Sequence, residues 1–372
     1  MAIGTKNVPS AAAKELYRKN KSAFFRKGVI TALISGILYG FYSTFLVAGE
    51  GVGNWPGFWE LGIAGSILGY CLICAVGAGL NDICSAVWQI VIAIVKGKFG
   101  DFIATLKTKP GAIMIGVALA GGPIAATAYN VGLMMAGGIA AAISALCAAV
   151  GAIIGRVFLK QQLNFRMVCG IIICFAAAVT IGWTSFDGLD MTAFIGCCIA
   201  FIAALGWGIE GSIGGYATSM IDSDISITIR QCTSGITNLI IVVPILCIMA
   251  TSMLDTSDIS GNIYVYLVGG AVGGGAIVWF IFSGLCCGQS FRMWYKGNSM
   301  CGAALGMALN AGYSFWVPFC SWLLMGVILP LVDPSWSYAA LTPVQWIAAV
   351  VEVFGILLIA RNPLDFFRKK EA

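Results

Sequence analysis

Histidine does not occur in this chain of 372 residues. Its absence removes imidazole as a metal ligand, the usual proton carrier near neutral pH, and the base of Ser-His and Cys-His nucleophile pairs. Any proton coupling must therefore use Asp or Glu. Charge is nearly as scarce: Asp, Glu, Lys and Arg make up 10% of the residues, against about a quarter in soluble domains. No GxxxxGK[ST] loop is present, which argues against ATP-driven transport by this chain alone. No pair of Asp residues stands in an aspartyl-protease arrangement, so no catalytic residue is assigned and an enzyme is not expected. A secretory leader does not fit the start either, because the first stretch is long and charged and lacks a small-residue cleavage site. The 14 cysteines fall mostly inside apolar runs and read as small buried hydrophobes. Cys71 and Cys74 form an isolated CxxC in an apolar setting, so neither a metal nor a cofactor is expected.

What fills the chain is apolar. Hydrophobic residues make up 59% and the mean hydropathy is +0.93, the composition of an all-α integral membrane protein. Apolar runs at 28–48, 58–95, 111–132, 137–158, 166–183, 191–217, 224–250, 263–287, 299–328 and 342–361 predict ten transmembrane helices. The run 58–95 is too long for one ordinary span, and Gly77 to Asp82 interrupts it. It reads as a long or broken helix, a span preceded by an outer interfacial segment, or two spans. Charge distribution narrows this. With a cytoplasmic N-terminus and ten spans, the basic residues other than Arg230, which lies inside a helix near its inner end, gather in the N-terminal arm, 96–109, 156–166, 292–296 and 361–370, all on the inner side. The outer loops carry Asp187, Asp190, Asp255, Asp258 and Asp333 and no Lys or Arg. This obeys the positive-inside rule and requires 50–96 to cross an odd number of times. Both termini are then cytoplasmic, in the plasma (bacterial inner) membrane. Residues 1–27 form a basic arm, read as a short surface helix capped by Ser10 or as an unstructured anchor, and 362–372 form a cytoplasmic tail.

Internal repetition follows the same division. Ile37–Thr44 aligns with Leu205–Ser212, placing Tyr39 on Trp207, Gly40 on Gly208 and Tyr42 on Glu210. Ala140–Leu146 aligns loosely with Ala303–Leu309, and Leu163–Gly170 with Leu341–Ala348. The common order divides the chain into five-helix units, 28–185 and 186–361. An odd number of helices inverts the second unit in the membrane, a pattern of secondary transporters. The stretch Ala128–Leu146, then Arg156–Leu163, then the Gly170 helix resembles the drug/metabolite transporter superfamily and its paired EamA-like units, including a rhamnose-porter-like branch. Tyr39-Gly40 is similar to the aromatic-Gly of that family's first helix. Gln161 and Gln162 stand where the family usually has an acid, and 50–80 departs from its compact pattern. The resemblance implies ten helices as two inverted five-helix repeats, and transport rather than catalysis.

The residues that could carry transport are polar groups inside apolar helices. Glu210 and Arg230 lie about ten residues on either side of the turn at 217–222, so each sits roughly 15 Å from it and the two reach similar depth. They form either a packing ion pair or a site reached by a proton or a substrate amine. An Arg-paired Glu stays ionised, whereas a desolvated, unpaired one holds a proton near neutral pH. Arg230 falls on a polar face with Ser226, Thr233 and Thr237. Asn310, Tyr313 and Ser314 share a face of the ninth helix. Gly273–Gly275 precede Trp279, a stacking wall, and Tyr39, Tyr42, Trp207, Tyr129 and Asn130 complete the set. Glu352 near the centre of the tenth span is a rival, for which packing or a dimer contact is favoured. Ala141, Ala145, Ala149 and Ala152 with Gly137 and Gly138 form a small-residue packing face.

The expected function is a secondary active transporter of a small polar organic metabolite, working by alternating access, with proton coupling as one option. A rhamnose/glucose-type sugar permease, an exporter of amino acids or drugs, and a membrane channel are the alternatives. The expected partners are the small-molecule substrate and the lipid bilayer, with a homodimer left open and no nucleic acid.

Overall fold

A computed structural model describes residues 11–136, 138–160, 164–183, 191–338 and 340–360. It is helical throughout, with no β-strand among the described residues. Seven helices are long and apolar enough to cross a membrane, as the composition requires. We number the long helices α1 (Ala11–Glu50), α2 (Ile67–Val95), α3 (Lys109–Ala136), α4 (Gly138–Ser144 and Cys147–Val157), α5 (Phe165–Trp183), α6 (Met191–Ala217), α7 (Ser223–Met253), α8 (Ala276–Cys301), α9 (Ala303–Asn310, then Tyr313–Leu331) and α10 (Pro343–Ala360). α4 and α5 are the shorter apolar ones, and α4 breaks near its middle.

Two boundaries differ from the sequence reading, and at a third the chain takes up one of the alternatives left open. First, α1 is a single helix of 40 residues. No break separates a surface helix from the span, because nothing between Ala11 and Gly28 disfavours helix. Ser10 lies outside the described residues, as do Gly137, Gln161, Gln162, Asp187, Asp190 and the 362–372 tail. Second, the long run 58–95 resolves into short helices at Trp55–Glu60 and Gly62–Gly65 followed by one continuous α2, started by Ser66, whose side chain accepts from the Gly69 amide. Gly77 to Asp82 does not interrupt it. Its glycines serve close approach instead: a Cβ on Gly79 would lie 2.6 Å from Leu239. Third, the eighth run does not end at 287. A short helix Ile263–Ala271 stops at the triple glycine, where Gly274 and Gly275 take φ of 58° and 83°, values that glycine adopts without strain. α8 then runs unbroken to Cys301. Arg292 and Lys296, expected in a loop, are therefore helical residues near its end.

The contacts have a regular plan. α1 packs on α8 and α9, and α6 packs on α3 and α4; α2 meets α7, α4 meets α9, and α5 meets α10. α8 also packs on α2, and α3 on α7. At one end, Trp55 donates its indole N–H to the Ala271 carbonyl at 3.0 Å, and the Gly62 amide donates to Asp258 at 2.7 Å. At the end where α2, α7 and α8 meet, Asp224 binds Lys96 at 3.0 Å, Lys98 at 2.7 Å and Arg292 at 3.0 Å. The hydrogen bond to Asp224 pushes the Lys98 ammonium above the usual lysine value. These basic residues lie on the side the sequence assigns to the cytoplasm.

Candidate functional site

The centre of the molecule is built around Arg230 of α7, which is 1% exposed. A guanidinium stripped of water must find charge and acceptors within the protein. Its Nε donates to Glu210 Oε1 of α6 at 2.8 Å, and one terminal nitrogen donates to Asp82 Oδ2 of α2 at 3.1 Å. That nitrogen also reaches Gln231, while the other donates to the Gly121 carbonyl at 3.1 Å. The guanidinium carbon lies 4.2 Å from the centroid of the Phe291 ring, a cation–π contact with α8. Arg230 thus binds four other elements of the bundle.

Backbone irregularities make these contacts reachable. α3 widens into a π-turn at Ala120–Ala126, around Pro123. Pro123 has no N–H to give the helix, and π-turns recur where a helix serves a site. The Gly121 carbonyl in that turn accepts from both Arg230 and the Trp207 indole, the latter at 2.9 Å. α6 widens likewise at Glu210–Gly214. Gly121 and Gly122 let the helices touch: a Cβ on Gly121 would fall 1.8 Å from Glu210 Oε2, and one on Gly122 2.0 Å from Ser234 Oγ.

The two carboxylates are further held by neutral donors. Tyr295 donates its hydroxyl to Glu210 Oε1, and Ser234 donates to Asp82 Oδ2. Asn81 donates to Asp82 Oδ1 at 3.1 Å. Glu210 Oε2 is buried with no hydrogen-bond partner. One guanidinium therefore faces two carboxyl groups, all three buried.

An aromatic cage adjoins this cluster through Phe291. Tyr39 stacks on Tyr313 at 4.2 Å and stands edge-on to Tyr42 at 4.9 Å, Tyr129 at 6.0 Å and Trp207 at 6.0 Å. The Tyr313 hydroxyl bonds Ser144 at 2.8 Å, and Asn310 donates to Ser35 at 2.8 Å. Between Tyr39, Trp207, Phe291, Trp294, Asn310 and Tyr313 lies a narrow cavity with room for about one water molecule. The Trp294 indole N–H at its wall is buried and has no partner.

The Glu210–Arg230 pair expected from the turn geometry is present, and Tyr39, Tyr42, Trp207, Asn310 and Tyr313 gather beside it. Trp279 does not join them. It precedes Phe291 on α8 by twelve residues, about 18 Å of helix, and packs on Phe45 and Trp336. Asn130 also belongs elsewhere, bonded to Glu50 at 2.9 Å. Glu352 is 2% exposed and accepts from Ser314 at 2.9 Å, so its side chain packs within the chain. The polar face of α7 is rotated from the expected one: Gln231, Ser234 and Asn238 are buried with Arg230, whereas Thr233 and Thr237 are only partly so.

Sequence reasoning missed Asp82, Gln231, Ser234, Phe291 and Tyr295. Asp82 carried a signal, since an acid inside an apolar run raises the same question as Glu210. Phe291 and Tyr295 were hidden by Arg292 and Lys296, which made the end of α8 read as a loop.

No family profile matches the chain, and no curated protein matches it. Its fold has counterparts among solved structures. One crystal structure, described only as that of a protein, superposes with a TM-score of 0.51 at 13% identity, covering 91% of this chain and 99% of the other. At that identity the likeness concerns the fold alone.

Proposed function

We propose that this chain is a secondary active transporter of a small polar organic metabolite, of the drug/metabolite transporter type, coupled to protons. The observation that carries this reading is the buried cluster in which Arg230 holds both Asp82 and Glu210. Asp82 comes from the first five-helix unit, and Glu210 and Arg230 from the second. One positive charge shared by two carboxylates leaves a place for one more, and a proton supplies it without a bulky partner. Loss or gain of that proton changes what Arg230 grips across the two halves, which is the differential interaction a two-state cycle needs.

The contact plan supports ten spans arranged as two inverted repeats. Advancing each helix number by five maps α1 on α8 to α6 on α3, α1 on α9 to α6 on α4, and α8 on α2 to α3 on α7. The pairs α2–α7, α4–α9 and α5–α10 map onto themselves. The central cavity lies where such halves meet, the usual place for a transporter site. It is too small for a metabolite, so this conformation is a closed one, and the halves part to admit substrate. In this reading the protein sits in the plasma membrane with both termini cytoplasmic.

A sugar is the substrate class that the cavity favours. Aromatic faces such as Trp207 pack on the C–H faces of a sugar ring, while Asn310 and the unpartnered Trp294 N–H meet hydroxyls. A thermal-shift panel of sugars, amino acids, nucleobases and quaternary amines on purified protein identifies the ligand. In proteoliposomes, Glu210→Gln then abolishes uptake driven by a pH gradient. Full gradient-driven uptake by that variant refutes the coupling role.

A further inference from the structure

Glu50, the last residue of α1, takes no part in the Arg230 cluster. It is 5% exposed, and among the described residues it forms no ion pair. Its place is adverse for an anion, because the C-terminal end of a helix carries partial negative charge. The elements packed around it bring no cation. α2 presents Cys74 and Gly77, and a Cβ on Gly77 would lie 2.1 Å from Glu50 Oε1 and 3.2 Å from the Trp55 ring. α8 sets Trp279 and Phe280 against the neighbouring Gly49. α3 presents Asn130. The other titratable group facing Glu50 is the Cys74 thiol.

The Asn130 amide donates to Glu50 Oε1 at 2.9 Å and to the Cys74 carbonyl at 3.4 Å, which accounts for both of its hydrogens. Two buried acceptors then remain without a donor: Glu50 Oε2 and Asn130 Oδ1. Both belong to side chains already joined by a hydrogen bond. A buried acceptor left without a donor is costly. One hydrogen on Oε2 would serve both, with the acid donating to Oδ1 as the amide donates to Oε1. This is the paired ring that a carboxylic acid makes with a primary amide.

We propose that Glu50 and Asn130 form a proton-binding site separate from the Arg230 cluster, in which Glu50 is a neutral carboxylic acid paired with the Asn130 amide. Release is a simple proton transfer. The Oε2–H bond breaks, the proton passes to water, and its electron pair stays on the carboxylate. That step needs the end of α1 to separate from α2 and α3, since the closed site admits no water. The site stands without the transport reading and depends on it only for the use made of the proton.

Infrared difference spectroscopy on the purified full chain at neutral pH tests this, with no substrate involved, so it succeeds or fails apart from the transport assay. The wild type minus Glu50→Gln spectrum is expected to contain the carbonyl band of a protonated carboxylic acid that shifts in D2O. The Gln amide keeps both hydrogen bonds, so Glu50→Gln retains the wild-type thermal midpoint. In Asn130→Leu the acid band moves to the frequency of a free, non-bonded acid. Loss of carboxylate bands in place of the acid band overturns the proposal, as does a sodium-dependent shift of them. If Glu50→Gln does not fold, an unmoved acid band in Asn130→Leu overturns it equally.

Discussion

Replacing Arg230 by Met and, separately, Glu210 by Gln separates charge balance from simple pairing. Arg230→Met keeps the stem and removes the guanidinium, leaving Asp82 and Glu210 buried with no cation between them. Breaking a buried ion pair by removing one partner costs about 3–5 kcal/mol. Losing the contact over the Phe291 ring adds about 2 kcal/mol when such a contact is desolvated. The expected loss is at least the larger part of this, ~4 kcal/mol, close to a thousandfold in the unfolding constant. Glu210→Gln behaves differently. The Gln oxygen still accepts from Arg230 and Tyr295, and Arg230 then faces Asp82 alone, one charge against one. Relief of the surplus carboxylate offsets the weaker hydrogen bonds, so the net change stays within about 1 kcal/mol. Equilibrium unfolding in mild detergent, followed by fluorescence of the 11 tryptophans, measures both. If Glu210→Gln destabilises as much as Arg230→Met, the second carboxylate is an obligatory structural partner, and the surplus-charge basis for proton coupling fails.

Three further outcomes follow from contacts on the same frame. Gly121→Ala places a methyl 1.8 Å from Glu210 Oε2, and overpacking of this kind costs about 1–3 kcal/mol; a lowered thermal midpoint is expected, and an unchanged one refutes the tight α3–α6 contact. Tyr313→Phe loses the bond to Ser144 while keeping the stack on Tyr39, which lowers stability by about 1 kcal/mol in the same unfolding assay. Asp224→Asn weakens the links to Lys96, Lys98 and Arg292; those cations are partly exposed, so the loss is about 1 kcal/mol, and hydrogen exchange should quicken at that end of α2 and α7 while the Arg230 region stays protected.

The helical membrane class was legible from composition, and most helices from the spacing of apolar runs, because in lipid every backbone group must be satisfied within its own helix. The Glu210–Arg230 pair was legible because a short turn fixes the relative depth of two antiparallel helices. What the sequence hid has specific causes. The end of α8 looked like a loop because Arg292 and Lys296 lie on it, and long basic side chains reach outward from a helix end that is itself still packed. Asp82 looked like a helix breaker beside glycines that in fact serve close packing. The face of α7 was misjudged because Ser234, not Thr233, turns towards Asp82, and a helix rotation of one residue is invisible where both neighbours are hydroxyls. Trp279 was placed with the cage as a stacking wall beyond the triple glycine, yet α8 starts at Ala276 and twelve residues of helix separate Trp279 from Phe291.

The Gly121 carbonyl holds Arg230 and Trp207 at once, and it belongs to the main chain. No side-chain substitution can delete it, so a residue-by-residue scan reports it only indirectly, through the neighbours that shape its turn. Pro123→Ala is the informative change. It restores an N–H to the widened turn and invites the helix to close, and its phenotype should resemble loss of Arg230 although no side chain that touches Arg230 has been replaced.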